Sequence, residues 1–138
     1  MAIFTDSEEW KKVILGFFQK VQDDKEMMEK IKKVGVMRFD WKNPACRLVV
    51  DPFVDDKEKG LRWGDSESSV NVTMTQDVDV SHEFWCGKVN TIVAMATGKI
   101  KSTGDVTKLM KLLPALTPLQ NMYKEYLQSE GFSKYILK

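Results

Sequence analysis

The natural place to look for catalysis is Ser81-His82-Glu83, because His82 is the single histidine of the 138-residue chain. A nucleophilic triad would have to run through it, and one imidazole cannot assemble a histidine metal cluster. Successive helix residues point to different sides, so Ser81 and Glu83 cannot close on His82 from adjacent positions. The expectation is a surface helix residue with no catalytic role. Asp55-Asp56-Glu58 lacks the Asp-x-Asp-x-Asp-Gly spacing of a calcium loop and reads as a solvated loop. Cys46 and Cys86 show neither Cys-x-x-Cys nor metal spacing, as expected of reduced, buried thiols in a cytoplasmic protein. The glycines form no phosphate cradle: neither Gly-x-Gly-x-x-Gly nor Gly-x-x-x-x-Gly-Lys-Ser/Thr occurs. Gly87-Lys88 and Gly98-Lys99 read instead as helix ends, with lysine near the negative end of the dipole. No catalytic residue, metal site or cofactor is expected.

Composition narrows the class further. Hydrophobic residues make up 43% and charged residues 30%, ordinary values for a folded domain, and the length fits one domain spanning 1–138. The 21 basic and 20 acidic residues lack the positive excess that phosphate backbones demand, so nucleic acid is set aside. The charge is uneven, however. Nine acidic and three basic residues lie from Asp51 to Glu83 (3 − 9 = −6), and seven basic and three acidic residues from Lys99 to Lys138 (7 − 3 = +4). No stretch approaches the roughly 18 apolar residues of a membrane span. The first residues show no signal-peptide pattern and Tyr135–Lys138 is not a Ser-Lys-Leu ending, so a cytoplasmic location is expected.

The elements that must position any site follow from periodicity. Trp10, Val13, Ile14, Phe17, Phe18 and Val21 form one helical stripe, with Thr5 and Glu8 as a capping box. Gly16 within that stripe predicts the close passage of another backbone. A second helix spans Lys25–Lys33. Period two then takes over: Met37, Phe39 and Trp41 alternate with Arg38 and Asp40, Cys46–Val50 completes a hairpin, and Leu61–Trp63 is a short third strand. Val70, Val72 and Met74 mark a fourth strand, and Lys99–Thr103 a fifth. Between them lie helices carrying Val80, Phe84 and Trp85, then Val89, Ile92, Val93 and Ala96. Asp105 caps a helix bearing Val106, Leu109, Met110, Leu113 and Leu116, and a last helix follows Thr117-Pro118. The grouping is α+β, with helices covering one face of a sheet.

The strand Val72-Thr73-Met74-Thr75, followed by Gly87-Lys88-Val89, Gly98-Lys99-Ile100-Lys101, Gly104-Asp105 and a leucine-rich helix, resembles the sterol carrier protein type 2 domain. The match is strongest over Val70–Leu116. One position departs: the family commonly has an aromatic residue shortly before the second glycine, where this chain has Met95. The resemblance implies a five-stranded mixed, mainly antiparallel sheet, with helices on one face enclosing an apolar tunnel. It also implies non-catalytic binding of a sterol, fatty acid or fatty acyl-CoA.

On that resemblance, the candidates to line the cavity are Met74, Phe84, Trp85, Ile92, Met95, Leu109, Met110, Leu112, Leu113, Leu116, Leu119, Met122 and Tyr123. From helical spacing alone each is an ordinary core residue. Eight methionines in the chain add soft side chains suited to a variable guest. Burying ten methylenes would yield about 8 kcal/mol before ordering costs, enough for micromolar binding. Leu113–Pro118 reads as a hinge that makes the helix Pro118–Ser129 a lid. The expected partners are a lipid-like small molecule, an anionic membrane surface met transiently by the basic C-terminal third, and a second copy of the chain in a homodimer. Two other readings stay open. One is an interaction module with a self-filled interior, marked by exposed Trp41, Trp63 or Tyr135. The other is an accessory domain presenting an acyl group to a separate enzyme.

Overall fold

Alternation along Met37-Arg38-Phe39-Asp40-Trp41 places three large apolar side chains on one face of the central strand, β1 (Met37–Lys42). The computed structural model describes residues 2–137. β2 (Cys46–Val50) lies antiparallel to β1, with Leu48 opposite Phe39, and β3 (Leu61–Trp63) pairs antiparallel with β2. β4 (Val72–Asp77) runs parallel to β1 on its other side, and β5 (Lys101–Gly104) pairs antiparallel with β4. The order β3-β2-β1-β4-β5 is the expected mixed, mainly antiparallel sheet.

Helices cover one face. α1 (Ser7–Gln22) buries its whole predicted stripe, with Trp10 edge-on to Trp41 at 5.5 Å and Phe18 5.6 Å from Phe39. Its cap is Asp6, not Thr5: the Asp6 carboxylate accepts the Glu8 N–H at 2.9 Å. α2 (Lys25–Val34), α3 (Val78–Trp85), α4 (Thr91–Ala96), α5 (Val106–Met110) and α6 (Leu116–Ser129) follow, with 3-10 turns at Leu113–Ala115 and Ser133–Tyr135. The opposite face presents Arg38, Asp40, Thr73 and Thr75, and Asp40 lies 3.6 Å from Arg38 and 3.3 Å from Arg47.

Several boundaries differ from the sequence reading. β4 begins at Val72 because Asn71 is held otherwise: its side chain accepts the Val36 N–H, and its carbonyl accepts the Asp105 N–H. β5 starts two residues later than expected. Its terminal Gly104, at φ +94°, leaves no room for a Cβ against the Asn71 carbonyl. The leucine-rich helix breaks after Met110 into the 3-10 turn. Gly16 is indeed a site of close approach, but to a side chain. The Tyr126 hydroxyl of α6 occupies the space a Cβ would need and donates to the Lys12 carbonyl at 3.3 Å.

His82 overturns its expectation. It is wholly buried, packed against Phe4, Trp10, Tyr123 and Tyr135. Its Nε2 lies 2.7 Å from the Tyr135 carbonyl and its Nδ1 2.6 Å from the Tyr123 hydroxyl. A carbonyl only accepts, so Nε2 carries the proton and Nδ1 accepts from Tyr123. The ring ties α3 to α6 and to the C-terminal turn. Helical periodicity concealed this because a polar residue on an inward face reads as a surface one. Burial pushes the imidazole pKa down to about 4 from its ordinary 6.5. The unfolded chain therefore gains a proton below pH 6.5 that the folded chain refuses until about pH 4. Stability is complete above 6.5 and falls by about 3 kcal/mol between those values. Asp23 and Asp65, held low by hydrogen bonds, lose their contributions only at more acidic pH. Urea unfolding between pH 7 and 4.5 should show this loss, and His82→Phe should flatten the slope.

Candidate functional site

Between the sheet and its helical cover lies an apolar hollow. Its floor is Met37 and Phe39 of β1 with Met74 and Gln76 of β4, the inward positions of two strands aligned in parallel. Phe18 of α1, Ile31 of α2, and Phe84 and Trp85 of α3 form its walls, with Thr91 and Met95 of α4. Leu109 and Met110 of α5, then Leu112 and Leu113, roof it, and Leu116 and Leu119 of α6 close the end. Among the described residues, the lining side chains able to form strong hydrogen bonds are Gln76, Thr91 and, through its indole N–H, Trp85. The roof is thin: Met110 is 39% and Leu113 36% exposed although both line the hollow.

The hollow spans about 680 Å3 of atom-free space, including some open to solvent, yet the centre of a water-sized sphere can move through only about 50 Å3 of it. One water needs about 10–15 Å3 by that measure, so the closed form has room for roughly four water-sized groups. A long alkyl chain requires side chains to swing or the roof to lift. Met74, Met95 and Met110 stand where the first can happen, because thioethers change rotamer easily.

Most predicted lining residues come together here: Met74, Phe84, Trp85, Met95, Leu109, Met110, Leu112, Leu113, Leu116 and Leu119. Three do not. Ile92 is 70% exposed, because Asn90 caps α4 so that Thr91, Ala94 and Met95 turn inward and Ile92 and Val93 outward. Met122 borders a separate polar surface groove with Lys20, Asp23, Lys25 and Glu125. Tyr123 is fully buried, with its hydroxyl on His82. The helix expected to act as a lid is also packed differently. α6 buries Leu119, Tyr123, Tyr126 and Leu127, and Gln120 donates to the Phe84 carbonyl at 2.9 Å, so that helix is core. The thinner cover is Val106–Ala115, where Met110 and Leu113 line the hollow yet are exposed.

Sequence reasoning missed Phe18, Ile31, Met37 and Phe39 as lining, although their inward faces were legible. It also missed Thr91 and Gln76. Carrying the alternation Val72, Met74 one step further would have found Gln76.

A helix-covered five-stranded sheet with an apolar hollow between its layers defines a class of small α+β pocket domains. Within that class, the model of the SCP-2 sterol transfer family matches residues 17–117, and the chain belongs to that family. Its fold is similar to sterol carrier protein domain 2 of Helicoverpa armigera, at 22% identity and TM-score 0.58, covering 75% of this chain and 81% of that one. It is also similar to apo sterol carrier protein 2 of Yarrowia lipolytica, at 19% identity and TM-score 0.53, covering 80% and 87%. The search of curated proteins finds no matching relative. Among the described residues no helix is long and apolar enough to cross a membrane.

Unfilled space should tolerate added volume. Leu112→Phe should change stability by less than about 1 kcal/mol, whereas Leu48→Phe, in fully packed core, should cost about 1–3 kcal/mol. Urea denaturation of the two variants measures the contrast.

Proposed function

We propose that this chain is one non-catalytic carrier domain that shelters the alkyl part of a lipid in the hollow beneath Val106–Ala115. The observation that carries the reading is the lining: apolar side chains from both strands and helices, interrupted only by Gln76, Thr91 and the indole N–H of Trp85. Such a surface rewards burial of methylenes, at about 0.8 kcal/mol each, without fixing the exact shape of the guest. The same wall offers no pair of convergent acid and base groups, and the imidazole is spent on Tyr123 and Tyr135. Loading proceeds by outward displacement of the roof, whose loss of contact the incoming chain replaces. Both thiols are free, which suits a reducing cytoplasm.

The narrowness of the closed hollow is what a self-filled interaction module would also show. The three aromatics that would mark that alternative form no exposed patch: Trp41 is 3% and Tyr135 7% exposed, and Trp63 is half-buried beside Trp41. Native mass spectrometry after incubation with hexadecanoic acid and with cholesterol separates the two. Uptake of one lipid per chain, abolished by Leu112→Trp, is the expected result, and a bare mass with both lipids would refute carriage.

The roof also suits brief contact with anionic membranes. Ile92, Val93, Met110 and Leu113 are exposed at or beside its rim, and Lys88, Lys99, Lys101, Lys108 and Lys111 are exposed in the same segments. Apolar insertion and basic attraction then act together. Sedimentation with vesicles should show binding to phosphatidylserine-containing bilayers that weakens in high salt and in Ile92→Ser/Val93→Ser. A salt-insensitive dimer through the same residues would instead assign the patch to a second copy.

A further inference from the structure

Gln76 breaks the pattern of its strand. The helix-facing positions of β4 are Val72, Met74 and Gln76, registered with Met37, Phe39 and Trp41 of β1. The third should be apolar, yet it is an amide, 2% exposed, whose Oε1 has no hydrogen-bond partner. A buried carbonyl left unpaired lowers stability, and leucine or methionine there would avoid the cost. Gln76 also borders two spaces at once. One is the apolar hollow. The other is a surface groove whose charged side chains are Lys42, Lys99, Lys101 and Asp77. Asp77 already accepts from the Asn43 amide at 3.2 Å. Among the described residues none of the three groove lysines is in a salt bridge, so none is neutralised by a neighbouring carboxylate within 4.0 Å.

We propose that Gln76 and the groove of Lys42, Lys99 and Lys101 form the site for the polar end of the ligand, which is an anionic amphiphile with a carboxylate or phosphate head. This rests on the carrier reading and adds to it the chemistry of the head. The chain lies in the hollow, and Gln76 meets the first polar atoms where the chain leaves it. A half-turn about its last torsion presents either the carbonyl to a hydroxyl or the NH2 to an anionic oxygen. The lysines, on flexible stems, then neutralise the head without demanding one geometry. A neutral hydroxyl would use Gln76 alone and leave three ammonium groups facing one carboxylate.

The test compares hexadecanoic acid, hexadecyl phosphate and hexadecanol, which share a chain and differ in the head, by displacement of a fluorescent fatty acid. The wild type should bind both anions about tenfold more tightly than the alcohol, and the advantage should shrink as salt rises. Lys99→Gln/Lys101→Gln should remove that advantage and leave hexadecanol unchanged. Gln76→Leu should weaken all three ligands several-fold while its urea midpoint stays level or rises, an outcome a purely structural glutamine would not produce. Inorganic phosphate alone should not displace hexadecyl phosphate at millimolar concentration. If it does, the groove holds free anions and the lipid-head assignment falls. Equal binding of alcohol and acids, or lysine variants identical to wild type, would overturn the proposal and leave carriage standing. Failure of all three ligands to bind would overturn both.

Discussion

Where β1 and β4 run side by side in parallel, Phe39 stands against Met74 and Trp41 against Gln76, and that register decides what faces the helices. A slip of one residue would turn Arg38, Asp40, Thr73 and Thr75 inward and the whole apolar set outward. The floor of the hollow is therefore inseparable from the central strand pairing. It is also the stiff part of the site, since both strands have hydrogen-bonded neighbours on either side. Adaptation to a guest must come from the helical layer and from rotamer changes of floor methionines such as Met74.

That layer has two halves of different character. α1, α3 and α6 interlock through aromatic rings, with Phe17 within 5.2 Å of both Trp85 and Tyr123, and Tyr126 seated over Gly16. His82 completes this half by bonding α6 and the C-terminal turn from inside. α5 and the 3-10 turn after it are short, carry exposed apolar side chains and break where a longer helix was expected. Fewer buried contacts mean a lower free energy of local opening. A rigid half beside a loose one is what a container needs if it is to admit cargo without unfolding.

Apolar affinity is non-directional, so a methionine-bearing wall can accept different chains at similar cost. Discrimination has to come from the few polar groups at the margin. Met95, standing where the family commonly has an aromatic ring, shifts this site further toward adaptability. In the head-group proposal Gln76 is the counterweight: a buried polar group at a fixed depth on the sheet.

Local pattern determined the strands, the major helices and the glycine-lysine punctuation, because period two and period 3.6 are properties of neighbouring residues. It assigned Phe18, Ile31 and Phe39 an inward face but could not tell packed core from cavity wall, since that depends on what other elements leave unfilled. The phase of α4, a six-residue helix, was set by its Asn90 cap, and Ile92 turned outward against a stripe too short to specify it. Tyr123 and His82 changed roles for a related reason: each satisfies the other's polar group across 41 residues of chain. Tertiary structure alone decided these points, because space, depth and hydrogen-bond partnership belong to the assembled layers and not to any one segment.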